Sequence, residues 1–376
     1  MLSRWLGRKS GILQNVRRST GQPRALVSAV QRPFLKGVNF RHNNQTEAVE
    51  MADVLHELGY RVDVINYDNP MAIDFDAYEV VFGSGAPLAG VFLREGARRP
   101  RTIYYACGAP PAYSNRASLE RLEAVRRSRG VWLAGSARLG EPGIGIETLV
   151  DGLIVLGNAW NLETYRAVTA RPVHALPMFY YPLADAAAIM AQRDLATARR
   201  HFMWFAGSGL VHKGLDLALE AFSRHPELHL HVYGAIDKEP GFLRAFHHEL
   251  RELPNVHIGG YLDVRSEAFL AALRESAFMI CPSCSEASCS SVLNVCGNGG
   301  NIPVMTRQCG IDFQDFAIPI GDTTVAAVEA ALAQAGRLGE ADLDLRQRRG
   351  AAFFGQEHSQ AQYHRRLKAA IQAILS

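Results

Sequence analysis

Short apolar runs alternate with amphipathic segments along the first half of the chain. The apolar runs predict five strands: Arg24–Val30, Arg61–Asn66, Glu79–Phe82, Thr102–Ala106 and Gly152–Leu156. Two segments have the spacing of helices, Thr46–Leu58 with Gly59 as its stop, and the charge-rich Ser118–Arg129. Strands that alternate with helices in this way predict a parallel sheet covered by helices.

The same alternation of strands and helices begins again after a Pro- and Tyr-containing stretch between Pro172 and Arg200. The predicted strands are His201–Ala206, Leu228–Tyr233, Val256–Gly259, Ala277–Cys281, Pro303–Thr306 and Ala317–Ile320. The predicted helices are Ala184–Arg200, Leu215–Phe222, Gly241–Leu253, Glu267–Glu275, Ser290–Cys296 and Gln360–Leu375. We therefore expect an α/β protein with a basic arm (1–22), a first domain (23–180) and a second domain (181–359). The last helix (360–376) is expected to pack back on the first domain, and a ligand is expected in the cleft between the domains.

Composition limits the classes of function. The chain has 376 residues and a formal net charge of +3, too small a charge to indicate nucleic-acid binding. Residues 1–46 nevertheless carry basic side chains and no acid, and Glu47 is the first carboxylate. With Trp5, Leu6, Ile12, Leu13 and Val16 this arm can form a weak amphipathic helix on an anionic membrane surface. A frayed, solvated arm is the alternative. No apolar run is long enough to span a bilayer, so we expect a cytoplasmic protein, with the inner membrane face as a peripheral site.

Five of the six cysteines fall in one region, and Cys281 and Cys284 have CxxC spacing. That spacing permits a zinc or redox site. A second CxxC and a nearby histidine pair are missing, and Cys281 ends an apolar run. Buried reduced thiols, as in a reducing cytosol, are the favoured interpretation, so no metal is expected.

The clearest chemical motif runs from Phe205 to Gly214, where a strand ends, a glycine-rich loop follows and a helix begins. Gly207, Ser208 and Gly209 allow the backbone to approach an anion closely, and a helix N-terminus attracts negative charge. Lys213 adds a full positive charge suited to a diphosphate. The alternative is a tight turn with a solvated lysine.

A second motif covers residues 282–294. Ser285 and Glu286 precede a helix that Ser290 or Ser291 can cap, so both hydroxyls can donate to phosphate oxygens. Glu286 can accept hydrogen bonds from sugar hydroxyls, and Asn294 can meet a ribose. The alternatives are a carboxylate that merely favours the helix dipole and a packing amide. The glycine-rich segment 297–301 is expected to be a structural turn.

Together these motifs resemble the donor half of GT-B glycosyltransferases of the family 4 type, continuously from about His201 to Asp312. The matching segments are 207–222, 232–234, 255–256, 282–286 and 302–304. The resemblance implies a GT-B fold, in which two Rossmann-like domains with parallel sheets face each other across a cleft. It also implies transfer of a sugar from a nucleotide donor with retention of configuration, usually without a metal or cofactor. Lys213 would contact the diphosphate and Glu286 the donor sugar, while Asn294 takes the place of a ribose-binding glutamate.

The first half is similar to the acceptor half of these enzymes. The similar segments are 40–44, 59–64, 104–111 and 115–116, and residues 156–158 with 164–165 resemble a polysaccharide-assembly subgroup. The resemblance places His42, Asn43, Gly108 and Asn115 on the acceptor side, with His42 joining Glu286 and Lys213 as a catalytic candidate. The acceptor would be a glycan or a lipid-linked acceptor in cell-surface polysaccharide synthesis.

Three departures keep alternatives open. Ser208 stands where the family commonly has arginine, Asn294 where it has a second glutamate, and Pro110 or Pro111 where it often has histidine. Loss of charge weakens the stabilisation of a departing diphosphate, which is mostly electrostatic. A catalytically impaired protein that binds a nucleotide-sugar or serves as a partner subunit is therefore the second hypothesis. A nucleotide-sugar epimerase is the third.

Overall fold

The computed structural model describes residues 11–21, 23–40, 42–94, 99–140 and 143–376. The first half forms a six-stranded parallel sheet in the order β2-β1-β3-β4-β5-β6. Its strands are β1 (Arg24–Ser28), β2 (Arg61–Ile65), β3 (Val80–Gly83), β4 (Arg101–Ala106), β5 (Gly152–Leu156) and β6 (Val173–Leu176). The helices are α1 (Arg32–Lys36), α2 (Asn44–Glu57), α3 (Gly85–Gly90), α4 (Pro111–Arg129), α5 (Ile146–Leu149) and α6 (Ala159–Arg166). Five of these strands match the predicted runs, and β6 lies in the stretch expected to join the domains.

The second half forms another six-stranded parallel sheet, in the order β12-β11-β10-β7-β8-β9. Its strands are β7 (His201–Phe205), β8 (His229–Tyr233), β9 (Val256–Gly260), β10 (Phe278–Cys281), β11 (Ile302–Thr306) and β12 (Ile318–Ile320). The helices are α7 (Ala186–Ala191), α8 (Leu195–Ala198), α9 (Leu215–Ser223), α10 (Pro240–Ala245), α11 (His247–Arg251), α12 (Glu267–Glu275), α13 (Ser290–Gly299), α14 (Val325–Gly336), α15 (Glu340–Glu357) and α16 (Gln360–Leu375). This strand order is that of a dinucleotide-binding Rossmann sheet.

Two predicted helices are each split in two. The segment 184–200 forms α7 and α8, because Asp185 and Asp194 each cap a separate helix through their side-chain oxygens. Between them the buried Arg193 guanidinium donates to the backbone oxygens of Leu273 and Gly299. The segment 241–253 forms α10 and α11, which meet at Phe246, where the backbone leaves the helical conformation.

The glycine-rich segment 297–301 is largely helical, which corrects the prediction of a turn. Helix α13 continues to Gly299, and Gly300 ends it with a positive φ of 64°. A Cβ on Gly297 would lie 2.7 Å from the ring of Tyr180, and Asn298 Oδ1 accepts from the backbone nitrogen of Leu183 at 2.6 Å. These small and amide residues let the segment that joins the two sheets lie against the helix.

The amphipathic N-terminal helix is not formed in the described part of the arm. Leu13 instead pairs with Val64 at the edge of the first sheet through two backbone hydrogen bonds of 2.8 Å, and the backbone nitrogen of Val16 donates to Val62. Residues 1–10, which hold Trp5 and Leu6, lie outside the described residues. Among the helices described, none has the length and apolar character needed to cross a membrane.

Two helices fasten the halves together. Helix α16 lies on the first sheet, where Ile374 packs on Gly152 and the hydroxyls of Tyr363 and Tyr105 are 2.7 Å apart. Helix α4 belongs to the first half but packs on the second sheet. Its Leu122 and Val125 belong to the core of the second sheet, and its Arg121 forms a buried ion pair with Asp216 of α9. The two sheets are thereby held on opposite sides of one cleft.

Candidate functional site

The cleft is a cavity of about 830 Å³ at the carboxyl ends of both sheets. In an open parallel sheet, ligands bind where the strand order reverses, because the loops on either side diverge there. That point lies between β1 and β3 in the first sheet and between β7 and β10 in the second. The residues that follow these strands line the cavity: Ala29 and Val30, Ser84, Ala206 to Ser208, and Glu286 to Ser291.

Glu286 lies at the centre of a group of charges in the cavity. Lys213 Nζ forms an ion pair with Glu286 Oε1, Ser283 Oγ donates to the same oxygen at 3.0 Å, and Arg138 Nη1 lies 3.8 Å from Oε2. The side chains of Lys213 and Glu286 are only 10% and 12% exposed. The predicted pair is therefore brought together, in a place where water screens it little.

Burial and the neighbouring charges shift the pKa values of Glu286 and Lys213 in opposite directions. Burial raises the pKa of Glu286, but the cations Lys213 and Arg138 outweigh it and lower that pKa to about 2. Burial lowers the pKa of Lys213, but the Glu286 carboxylate outweighs it and the pKa of the lysine lies above its usual value. Both groups are therefore charged at neutral pH.

Arg138 is a site residue that the sequence analysis missed. It lies 75 positions before Lys213 in the chain and follows α4, the helix that packs on the second sheet. Its side chain covers Gly209, where a Cβ would lie 2.5 Å from Arg138 Cδ. A guanidinium therefore lies beside the glycine-rich loop, where Ser208 had indicated a missing positive charge.

The N-terminus of α13 faces the cavity, and Ser290 and Ser291 line it. Cys289 is the residue that precedes the helix, and no side chain caps it. Ser290 and Ser291 are the first two residues of the helix, which corrects the prediction that one of them caps it. The backbone N–H groups of the first turn have no partner within a helix, so this end of α13 attracts an anion.

Asn294 also lines the cavity, but its amide is engaged by the protein. Its Oδ1 accepts from the backbone nitrogen of Tyr181 at 3.2 Å, and its Nδ2 donates to the backbone oxygen of Ser290 at 2.8 Å. The side chain therefore holds the segment between the two sheets against α13.

Gly207 and Ser208 line the cavity, whereas Gly209 and Ser285 do not. The backbone nitrogens of Gly209 and Leu210 donate to the carboxylate of Glu239, at 2.5 and 3.2 Å. Ser285 is buried, and its backbone oxygen lies 2.6 Å from His212 Nε2. The loop therefore offers fewer free N–H groups to a ligand than the sequence suggested, because a carboxylate of the protein already binds two of them.

His42 and Asn43 line the opposite wall. Burial and the charge of Arg138 lower the pKa of His42, and its Nδ1 accepts from the backbone nitrogen of Asn44 at 3.1 Å. The imidazole is therefore neutral near pH 7, with its hydrogen on Nε2. Asn43 Nδ2 donates to the backbone oxygen of Phe179 at 3.0 Å.

Gly108 and Asn115, both within the described chain, are not brought to the cavity. Asn115 forms two hydrogen bonds with the backbone of Gly140, at 2.7 and 2.8 Å, and thereby ties α4 to the loop that follows it. Gly108 has a φ of 151° at the end of β4. The nearby Tyr105 and Cys107 do line the cavity wall, and a place for Gly108 and Asn115 on the acceptor side stays a prediction.

Glu47 is a second site residue that the sequence analysis missed. It is buried in α2, lines the cavity and accepts a hydrogen bond of 2.9 Å from the hydroxyl of Tyr105. Burial raises its pKa to about 7, although the tyrosine hydrogen bond opposes the shift. The signal in the sequence was an acidic residue on the apolar side of an amphipathic helix.

The CxxC cysteines do not face each other. Cys281 Sγ lies 3.7 Å from Cys289 Sγ, and Cys284 Sγ lies 3.5 Å from His212 Nδ1. All five cysteines of this region are buried free thiols. Within the described residues, the cysteines form no group of three or more metal-ligating side chains.

Two Rossmann-like sheets that face each other across a ligand cleft define the GT-B fold, and this chain has it. No protein-family model and no curated protein sequence matches the chain. Solved structures do match. A glycosyltransferase from Rickettsia africae is 12% identical with a TM-score of 0.59, and the match covers 94% of this chain and 99% of that one.

Two other matches have ligands in their names. A UDP-forming α,α-trehalose-phosphate synthase from Burkholderia xenovorans is 11% identical with a TM-score of 0.58, over 95% of this chain and 100% of that one. HepE from Anabaena, in complex with UDP and glucose, is 10% identical with a TM-score of 0.57, over 94% of this chain and 100% of that one. These likenesses show the same fold over 94–95% of the chain.

Proposed function

We propose that the protein is a glycosyltransferase that moves a sugar from a nucleoside diphosphate donor to a glycan or lipid-linked acceptor, with retention of configuration. The observation that carries this proposal is the charge group of Lys213, Arg138 and Glu286 beside the N-terminus of α13. A cleft with two cations, one ionised carboxylate and a helix N-terminus suits a diphosphate joined to a polyhydroxylated ring.

In this proposal the diphosphate lies between Lys213, Arg138 and the N–H groups that open α13 at Ser290 and Ser291. Gly207 and Ser208 would let the backbone approach it from the second sheet. A donor phosphate competes with Glu286 for Lys213, so binding would free one oxygen of the carboxylate. Because its pKa is about 2, Glu286 would accept hydrogen bonds from sugar hydroxyls and would not supply a proton.

Breaking the sugar–phosphate bond leaves negative charge on the diphosphate. Lys213 and Arg138 would stabilise that charge, and such electrostatic stabilisation is usually the largest contribution to catalysis. Arg138 therefore supplies the positive charge that is missing at Ser208. In this proposal Lys213 and Arg138 stabilise the negative charge of the diphosphate, so no metal or cofactor is required.

The acceptor would enter from the first sheet. His42 is neutral with its hydrogen on Nε2, so it would donate a hydrogen bond to an acceptor hydroxyl, with Asn43 and Glu47 nearby on the same wall. A lipid-linked acceptor would suit a peripheral position at the cytoplasmic face of a membrane, with the basic residues of the arm against anionic lipids. Polysaccharide assembly is the proposed setting.

The names of two structural neighbours guide the choice of donor. One is a UDP-forming synthase and another was solved with UDP and glucose. UDP is therefore the first nucleotide to test, followed by GDP and ADP.

The test is binding followed by turnover, on the full chain. We expect a nucleoside diphosphate to raise the melting temperature by mass action, and a donor panel to show hydrolysis or transfer. Lys213→Ala and Arg138→Ala should each lower the affinity for the diphosphate. Arg116→Ala, an exposed arginine on the outer face of α4, is the matched control and should bind like wild type. Failure of every nucleotide to bind, or equal binding by all three variants, would contradict the proposal.

A non-catalytic nucleotide-sugar-binding or partner subunit is the second candidate. It is favoured by the carboxylate of Glu239, which occupies two N–H groups of the glycine-rich loop, and by the amide of Asn294, which is engaged by the backbone. Specific binding of a nucleotide without transfer, hydrolysis or isomerisation of any donor would favour this candidate over the enzyme.

A further inference from the structure

Four histidines form a cluster on one face of the second sheet, away from the cleft. His201 opens β7, His229 and His231 lie in β8, and His257 lies in β9. The strand register aligns His201 with His229 and His231 with His257. Their rings stack with centroids between 4.6 and 5.3 Å apart. Because the cleft is at the carboxyl ends of these strands, the cluster belongs to a separate part of the domain.

Two contacts bring possible metal ligands together. His201 Nδ1 lies 2.8 Å from His231 Nε2, and His231 Nδ1 lies 3.6 Å from Glu275 Oε2 at the end of α12. One ligand atom from each of His201, His231 and Glu275 lies within 4.8 Å of the other two. In the described part of the chain this is the one group of three or more histidine, cysteine or acidic side chains with such spacing.

The histidines are in the form that binds metals. Burial and the neighbouring histidines lower the pKa of His231 to about 3 and that of His201 to about 4. Both rings are therefore neutral at pH 7, and neutral imidazole is the ligand form. The side chain of His231 is 6% exposed and that of Glu275 is 48% exposed, so a fixed ligand is combined with one that can adjust from solvent.

We propose that His201, His231 and Glu275 bind a divalent transition metal of the zinc type. Imidazole and carboxylate ligands suit such ions, whereas magnesium prefers oxygen ligands. Ligands at about 2.0–2.1 Å from a tetrahedral ion are about 3.3 Å apart, so the two rings separate slightly and the carboxylate swings in. His231 can give the ion only one of its two ring nitrogens, so one of the two contacts above opens when the ion binds. Any hydrogen on a binding nitrogen moves to the other nitrogen of that ring. Water completes the coordination.

The metal would join β7 and β8 to the end of α12. Helix α12 follows the loop of Tyr261, Leu262, Asp263 and Val264, which lines the cleft. The site would therefore stabilise the second domain and take no part in the reaction. It also does not depend on the proposed function, so each can fail without the other.

The test is metal binding by the full chain made without a histidine tag and stripped with a chelator. We expect one equivalent of Zn²⁺ by competition with a chromophoric chelator, the visible absorption of tetrahedral Co²⁺, a zinc-dependent rise in melting temperature and no response to Mg²⁺. His231→Ala should weaken zinc binding by at least about tenfold, a loss typical even of outer-shell partners.

Two further variants keep the test decisive. Glu275 lies at a half-exposed helix end, so the variant Glu275→Gln should fold normally. It should nevertheless bind zinc less tightly than wild type. His225→Ala removes a half-buried histidine whose side chain pairs with Glu227 and should leave zinc affinity unchanged. Absence of zinc and cobalt binding would overturn the proposal, as would wild-type affinity in both His231→Ala and Glu275→Gln. Binding of UDP should be the same with and without the metal.

Discussion

Replacing Glu286 by glutamine tests the electrostatics of the cleft directly. The substitution keeps the shape of the side chain and imitates the protonated acid. Folding lowers the pKa of Glu286 from 4.5 to about 2, and each pKa unit corresponds to about 1.4 kcal/mol. The ionised carboxylate therefore contributes about 3 kcal/mol at pH 7, the order expected when one partner of a buried ion pair is removed.

The sign of the pH dependence follows from the lowered pKa. The stabilisation is fully present above pH 4.5 and is lost as the pH falls from 4.5 toward 2. Urea unfolding of wild type and Glu286→Gln should therefore differ by about 3 kcal/mol at pH 7 and by less at pH 3.5.

The matched control is Glu163→Gln, which removes an exposed carboxylate paired with Arg307 and should cost less than about 1 kcal/mol. Adding Lys213→Met to Glu286→Gln should restore part of the loss, because the lysine is then no longer buried without its partner. A difference below about 1 kcal/mol at pH 7, or one that does not shrink in acid, would refute the reasoning.

Three other predictions concern the rest of the molecule. Arg121→Ala leaves the buried Asp216 carboxylate without its cation and should lower the free energy of unfolding by about 3–5 kcal/mol in urea, whereas Arg116→Ala should change it little. Because burial raises the pKa of Glu47 to about 7, wild type should lose stability as the pH rises from 4.5 to 7, and Glu47→Gln should remove that loss in melting curves. Because burial lowers the pKa of His231 to about 3, the metal-free protein should lose stability as the pH falls below 6.5. In melting curves recorded against pH, His231→Gln should reduce that loss.

Most of the strands could be read from local sequence. A parallel strand covered on both faces is a short continuous apolar run, and helix α16 carries its apolar stripe over its whole length, so both patterns are visible in a short window. The split of residues 184–200 could not be read in this way. A buried arginine between two aspartate caps interrupts the helix there, and Arg193 finds its partners at Leu273 and Gly299, far along the chain.

From the sequence, Lys213 and Glu286 each come after a predicted strand, and the family resemblance of their two motifs implies a shared donor site. The tertiary structure decided which neighbours complete that site. Arg138 enters from the segment that follows the crossing helix α4, Glu239 occupies two N–H groups of the glycine-rich loop, and Asn115 lies away from the cavity. The end of a strand is set by the apolar and polar residues next to it, so it can be predicted from a short stretch of sequence. Contacts between distant segments depend on how the two domains pack, and a short stretch of sequence carries no information about that packing.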